Sequence, residues 1–278
     1  MTSCDLTELD PASLSTHSAV RRIAWRGTAA PEDSREVPEE AAIAVTYNGA
    51  THAVMMATPL QLEDFAVGFS LTERIITDIE QIKSIEIAAF TTGVEARLWV
   101  DEECAGRLSA RRRALAGPTG CGLCGVESLE EALPEPAPVG ADGVRFTPEQ
   151  VMEAINALSQ GQPLFRETHA VHAAGFWTPS RGLVAAREDL GRHNAMDKLV
   201  GALRRGGVDQ TMGIATITSR VSVEIVQKAA VMGVPVLVAV SAPTRLAIRT
   251  AESAGLTLVG VARRDGFEVF TRMDRIAF

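Results

Sequence analysis

The chain is short of several things that whole classes of protein depend on. It has four cysteines in 278 residues, too few for a disulfide scaffold, and Met1 to Asp10 is acidic with no apolar stretch of the kind a secretory leader carries. The expected compartment is therefore the cytoplasm. No apolar run is long enough for a bilayer: the longest, Ala229 to Ala242, is broken by Pro235 and reads as a helix end followed by a buried strand, so no membrane association is expected. Positive charge is also scarce. Twenty-seven Lys and Arg stand against 35 Asp and Glu, and the net charge of -8 excludes a general nucleic-acid or anionic-membrane binder, so any anionic ligand must meet a local basic patch. There is no internal repeat, and no low-complexity tract beyond Pro134 to Pro138. What remains is an ordinary globular composition, 46% hydrophobic and 22% charged, in a chain long enough to bury one large core or two modest ones.

The pattern along the chain divides it into four stretches. Residues 1–40, with Pro31, Pro38 and the acidic Glu36, Glu39 and Glu40, read as a loosely ordered lead. Residues 41–133 read as an α+β part. Ala41 to Tyr47 and His52 to Ala57 flank Asn48-Gly49, a type I′ hairpin signal, and Pro59 to Ile76 has helical apolar spacing. Ile82 to Phe90 and Val94 to Val100 read as strands, and a short helix is expected over Val126 to Leu133. Residues 134–146 carry the prolines of an extended linker. Residues 147–278 read as an α/β domain. Thr147-Pro148-Glu149-Gln150 has the form of a capping box with proline at the first helical position. Met212 to Ile217, Pro235 to Val240 and Leu256 to Val261 are apolar runs separated by helical stretches Val221 to Met232 and Pro243 to Ala254, a βαβαβ unit with three parallel strands. Asp265-Gly266 then turns into a last strand, Phe267 to Thr271.

Three places could carry chemistry. Cys121 and Cys124 form a C-x-x-C pair between glycines, preceded by Arg111, Arg112 and Arg113 and followed by a helix start, surroundings that favour the reactive thiolate. A zinc knuckle and a redox disulfide are the alternatives. Zinc would need a second pair, and Cys104 and Cys4 do not supply it, so no metal ligand set is assigned. The second place is the C-terminal edge of the parallel strands, where ligands of α/β sheets bind and helix amides point at anions. Thr218-Ser219-Arg220, Ser241 to Thr244, and Val261, Ala262, Arg263, Arg264, Asp265 and Gly266 meet there; the competing reading makes Ser219 and Ser241 plain helix caps and Arg263 a solvated charge. The third is Glu188-Asp189-Leu190-Gly191-Arg192-His193-Asn194 ahead of a helix over Ala195 to Arg205, together with His169 and His172; His172 and His193 are the candidates to touch ligand.

These motifs together resemble a known family, the accessory sulfurtransferases of formate dehydrogenase called FdhD. The resemblance rests on Arg112 to Gly117 running into Thr119-Gly120-Cys121-Gly122-Leu123-Cys124-Gly125-Val126-Glu127, on Glu188 to Leu199, and on Thr218-Ser219-Arg220, and it spans about residues 40–273. It implies an α/β, cytidine-deaminase-like three-layer fold and a homodimer. It also implies a sulfur carrier that takes sulfur from a cysteine desulfurase as a persulfide and passes it to the molybdenum cofactor, in the bis-molybdopterin guanine dinucleotide form, before insertion into formate dehydrogenase. The implied persulfide carrier is Cys121, with Cys124 as helper, and the implied guanine-dinucleotide segment is Val261 to Gly266. Deaminases of related fold hold zinc with a histidine and a C-x-x-C that follows it, with a glutamate close to the histidine. Here the pair precedes His172 and Ala173-Ala174 follow it, so nucleobase deamination and stoichiometric zinc are not expected. The rival classes are a thiol-disulfide oxidoreductase and a cofactor chaperone without catalysis.

Overall fold

The computed structural model describes residues 7–106, 108, 135–136, 138–140 and 143–278. Both cysteines of the C-x-x-C pair, the arginines before them and the helix expected over Val126 to Leu133 lie outside the described residues.

The N-terminal strands are β1 (Glu8–Leu9), β2 (His17–Ile23), β3 (Glu32–Pro38), β4 (Ala41–Tyr47), β5 (Ala50–Ala57), β6 (Ile82–Phe90) and β7 (Gly93–Val100), with helix α1 at Leu62–Thr72. The β4–β5 hairpin forms around Asn48 and Gly49, whose φ angles of 48° and 80° are the positive pair that a type I′ turn demands. A five-stranded sheet follows in the order β1-β6-β7-β4-β5. Residues 1–40, expected as a loose lead, differ from that reading. β2 and β3 pair antiparallel from His17 opposite Pro38 to Ile23 opposite Glu32, with Arg22 bonded to Asp33 at 2.7 Å. None of their residues is fully buried, so the apolar alternation by which a strand is recognised is missing from them.

The second half holds α2 (Pro148–Leu158), α3 (Pro163–Thr168), β8 (His172–Thr178), β9 (Gly182–Asp189), α4 (Arg192–Arg205), β10 (Ile214–Ile217), α5 (Val223–Met232), β11 (Val236–Ala239), α6 (Arg245–Ala254), β12 (Thr257–Arg263) and β13 (Gly266–Val269). The capping box of α2 is made in both directions: Thr147 accepts from the Gln150 amide and Gln150 from the Thr147 amide. The strands form one six-stranded sheet, β13-β12-β11-β10-β8-β9, in which β10, β11 and β12 are parallel as the βαβαβ spacing requires. β8 and β9 were not foreseen. The β8 sequence His-Ala-Ala-Gly-Phe-Trp-Thr is rich in residues of low strand propensity, and it is buried nearly throughout because the sheet is covered on both faces. Leu158, Val151, Trp177, Ile214, Val236, Val238 and Val259 form the core on the α2 side, while Phe176, Ala215, Ile217, Leu237 and Leu258 face the other helices. No helix among the described residues is long and apolar enough to cross a membrane.

One hydrophobic core joins the two sheets, running from Ile43 and Val45 through Phe65 and Phe69 to Met196, Leu199 and Ile217. Its centre is the crossing of α1 and α4. A Cβ on Gly68 would lie 1.7 Å from the Asp197 carbonyl oxygen, and one on Gly201 would lie 1.9 Å from that of Asp64, so glycine is required for the two backbones to meet.

Topology then decides where the candidate residues fall. β8 is antiparallel to both β9 and β10, so β9 runs parallel to β10, β11 and β12 although β8 lies between them. The C-terminal ends of four strands and the first residue of β8 therefore share one edge of the sheet. Helices α4, α5 and α6 all begin there, with their amide ends toward it.

Candidate functional site at the strand ends

The edge is assembled by short backbone links between successive loops. Val221 donates to the Ala242 carbonyl at 3.3 Å, Thr244 to that of Val221 at 2.9 Å, and Val261 to that of Ser241 at 3.2 Å. Thr218 ties β8 to β10: its amide donates to the Ala173 carbonyl, its hydroxyl accepts from the Ala173 amide at 3.0 Å, and the same oxygen lies 3.4 Å from His172 Nδ1. The three strand-end loops read from the sequence thus meet, and His172, first residue of β8, stands beside the first of them.

The helix starts at this edge are not equivalent. Thr244 caps α6 through its hydroxyl, accepting from the Ala247 amide. The N-cap of α4 is Gly191, which has no side chain to offer, and that of α5 is Ser222, whose hydroxyl makes no capping bond. Neither Ser219 nor Ser241 occupies an N-cap position. Ser219 is buried, and its hydroxyl donates to the Arg220 carbonyl at 2.8 Å. Arg220, Arg263, Arg264 and Asp265 are exposed, the arginines free to meet an anion arriving from solvent.

Val261 carries a backbone cost. Its φ of 53° is left-handed, a region that a β-branched residue rarely enters, and the pairing of β12 with β13 shifts register between Gly260 and Arg263. Strain of this kind costs about 1–3 kcal/mol and concentrates where a loop must be aimed. Ala262 is buried, while Gly266 is half-buried at the far end of the bulge.

The stretch from Glu188 to Lys198 splits into two functions. Asp189 is fully buried: one carboxylate oxygen meets Lys198 Nζ at 2.7 Å and the Thr58 amide at 3.1 Å, and the other accepts from the Gly191 amide at 2.8 Å and Asn194 at 3.0 Å. Glu188 accepts from the amides of Leu164 and Phe165, which open α3. These groups hold β9, α3 and α4 together. A second buried pair, Lys228 on Asp197 at 2.8 Å, joins α5 to α4, and the lysine also reaches Thr72 next to α1. Burial works against its charge, yet the Asp197 carboxylate holds Lys228 above its ordinary value.

Arg192 and His193 behave otherwise. Arg192 Nε, His193 Nε2 and one carboxylate oxygen of Glu224 are buried and have no hydrogen-bond partner among the described residues. Burial, with the positive charges of Arg192 and Lys228, pushes His193 down to about 4, so it is neutral at physiological pH. His172 is lowered by burial and by Arg192. Burial alone would raise the Glu224 carboxyl, but Ser222, its own backbone amide, His193 and Arg192 bring it below its ordinary value, so it is ionised. Arg192 and Glu224 were not singled out from the sequence. An acidic residue in a first helical turn ordinarily complements the helix dipole, which hides any other use.

The opposite edge of the sheet holds a cavity of about 440 Å³ lined by residues that include Asp78, Arg204, Asp209 and Met232. None of the candidate residues lines it.

The model of the FdhD/NarQ family matches residues 38–277. The chain belongs to that family. Among curated relatives, the "Sulfur carrier protein FdhD" of Brucella abortus is 54% identical over 257 residues, covering 92% of this chain and 96% of the relative. That of Agrobacterium fabrum is 49% identical over 261 residues, covering 94% and 96%. A crystal structure of a Desulfotalea psychrophila protein assigned as a formate dehydrogenase accessory protein superposes with a TM-score of 0.76 over 95% of this chain and all of that one. At 24% identity this last likeness shows a common α/β fold. The FdhD resemblance read from the cysteine loop and the strand-end motifs is thereby shown at the level of the family.

Proposed function

We propose that this chain is a sulfur carrier in the maturation of formate dehydrogenase, loading sulfur on Cys121 and delivering it to a molybdenum cofactor held at the strand-end edge. The observation that carries the reading is family membership across nearly the whole chain, with relatives named as sulfur carriers, combined with the Gly120-Cys121-Gly122-Leu123-Cys124-Gly125 sequence. The fold proposed with it is the cytidine-deaminase-like three-layer arrangement, the assembly a homodimer, and the compartment the cytoplasm.

Loading is a thiol exchange. The Cys121 thiolate attacks the outer sulfur of a persulfide on a cysteine desulfurase, a new S–S bond forms at Cys121, and the desulfurase thiolate leaves. In delivery, Cys124 attacks Cys121 sulfur; the outer sulfur departs as sulfide toward the acceptor, and the resulting Cys121–Cys124 disulfide is returned to dithiol by an external dithiol reductant. The acceptor is substrate here, a bis-molybdopterin guanine dinucleotide. The donor set at the edge suits its diphosphates: exposed Arg220, Arg263 and Arg264 bring positive charge, and the α5 amides are open because Ser222 does not cap them. Val261 to Gly266 form the strained turn assigned to the guanine dinucleotide, with Ser219, His172 and His193 close to the same edge. No zinc takes part in this scheme.

Mass spectrometry after treatment with a desulfurase and cysteine tests the first half: sulfur is expected on wild-type protein and absent from Cys121→Ala. Loading of Cys121→Ala but not Cys124→Ala would reverse the two roles. Arg220→Ala is expected to load sulfur, to bind a guanine diphosphate roughly tenfold to a hundredfold more weakly in calorimetry, and to leave formate dehydrogenase inactive. Activation of the client by a protein lacking both thiols would favour a pure chaperone. A Cys121–Cys124 disulfide that cycles without sulfur would favour an oxidoreductase, and one tightly held zinc per chain, lost with the cysteines, would favour a structural metal site.

A further inference from the structure

Satisfaction of buried polar atoms is close to complete in folded proteins, because an orphaned donor or acceptor costs about 1–3 kcal/mol. Three of the orphans in this chain belong to neighbours at one place, the gap between the uncapped starts of α4 and α5: Arg192 Nε, His193 Nε2 and a carboxylate oxygen of Glu224. Arg192 and His193 are consecutive at the start of α4, Glu224 is second in α5, and each of the latter two feels the charge of the others. The set is mixed in kind. Arg192 Nε–H can only donate, the ionised Glu224 can only accept, and neutral His193 does either according to tautomer. A bare anion would use the donors and be repelled by Glu224. A carboxylate beside donors instead matches a flat ring whose edge alternates donors and acceptors.

We infer that Arg192, His193 and Glu224 form a recognition niche for a 2-amino-4-oxopyrimidine edge, the edge shared by guanine and by pterins. The ring N–H and exocyclic amino group donate to the Glu224 carboxylate, and the ring carbonyl with the adjacent ring nitrogen accepts from Arg192 Nε–H and from His193 in its Nε2–H form. The inference rests on the cofactor reading above and deepens it. That reading assigns the phosphates to exposed arginines and the dinucleotide segment to Val261 through Gly266, whereas this niche assigns ring selectivity to the starts of α4 and α5. Guanine and pterin arms of one cofactor carry the same edge, so the experiment separates them.

Calorimetry on the full chain compares GMP, IMP, which lacks the 2-amino group, and AMP, with wild type and Glu224→Gln, and then repeats GMP in the presence of a free pterin. Wild type is expected to prefer GMP over IMP and AMP by roughly tenfold to a hundredfold, and Glu224→Gln to lose most of that preference. Competition by the pterin assigns the niche to the pterin ring as well; no competition assigns it to guanine alone. Equal binding of GMP and IMP by wild type overturns the niche without any variant having to fold, as does a Glu224→Gln protein that folds and keeps the full preference. Sulfur loading of wild-type Cys121, measured on the same preparation, separates the two failures. A protein that loads sulfur but shows no ring preference loses only the niche, and one that does not load loses the carrier reading.

Discussion

Asp189 and His193 are four residues apart and both lie where β9 passes into α4, yet they do opposite things. Every oxygen of the Asp189 carboxylate is engaged: Lys198 and the Thr58 amide take one, the Gly191 amide and Asn194 the other. His193 and its neighbour Arg192 are also buried in part, but each keeps a nitrogen without a partner among the described residues. The first arrangement is scaffold and the second is a site. Charge and burial alone do not separate them; hydrogen-bond accounting does, because a folded chain has no reason to leave donors dry unless a ligand completes them.

The largest test of the contrast is on the scaffold side. Lys198→Ala leaves Asp189 charged, buried and short of its principal partner, and is expected to cost about 3–5 kcal/mol in urea unfolding. A cost near that of a surface substitution would mean that Asp189 is not the closed network its contacts indicate. Gly201→Ala tests the same scaffold sterically. Its Cβ would meet the Asp64 carbonyl oxygen at 1.9 Å, and forcing α1 and α4 apart is expected to cost about 1–3 kcal/mol or more.

On the site side, His193 should make stability depend on pH. Its folded value near 4 lies below the ordinary 6.5, so the unfolded chain binds the proton more readily. The stability associated with keeping it neutral is complete above 6.5 and is lost as pH falls through the window down to about 4. His193→Gln should flatten unfolding midpoints across that window; an unchanged slope would show that His193 is not the group responsible. The smallest effect is expected at Val261. Val261→Gly removes the left-handed strain at some cost in chain entropy, for a net gain of about 1 kcal/mol in unfolding free energy. A gain accompanied by weaker binding of a guanine diphosphate would tie the strain to the site.

Much of the fold was legible because its signals are local. Asn48-Gly49 specifies its hairpin through positive φ, Thr147 to Gln150 its helix start through reciprocal caps, and the three apolar runs from Met212 onward their parallel strands through burial on both faces. β8 was hidden because alanine and glycine suit it only within a covered sheet, and β2–β3 because they bury no apolar face. The candidate site was legible in parts: the strand-end loops, His172 and His193 stand out as residue types near helix starts. Glu224 did not, since its role as an unsatisfied acceptor exists only beside Arg192 and His193.

The sequence by itself determined the cysteine pair, the family to which the chain belongs, the local helix and turn signals, and the order of strands and helices from Met212 onward. Only the tertiary structure decided that β9 runs parallel to β10 across an antiparallel neighbour, and with that placed Glu188 to Asn194 and His172 on the same edge as Thr218, Ser241 and Val261. Strand direction and hydrogen-bond satisfaction are long-range quantities. They depend on which segments meet, and local propensity carries no record of that.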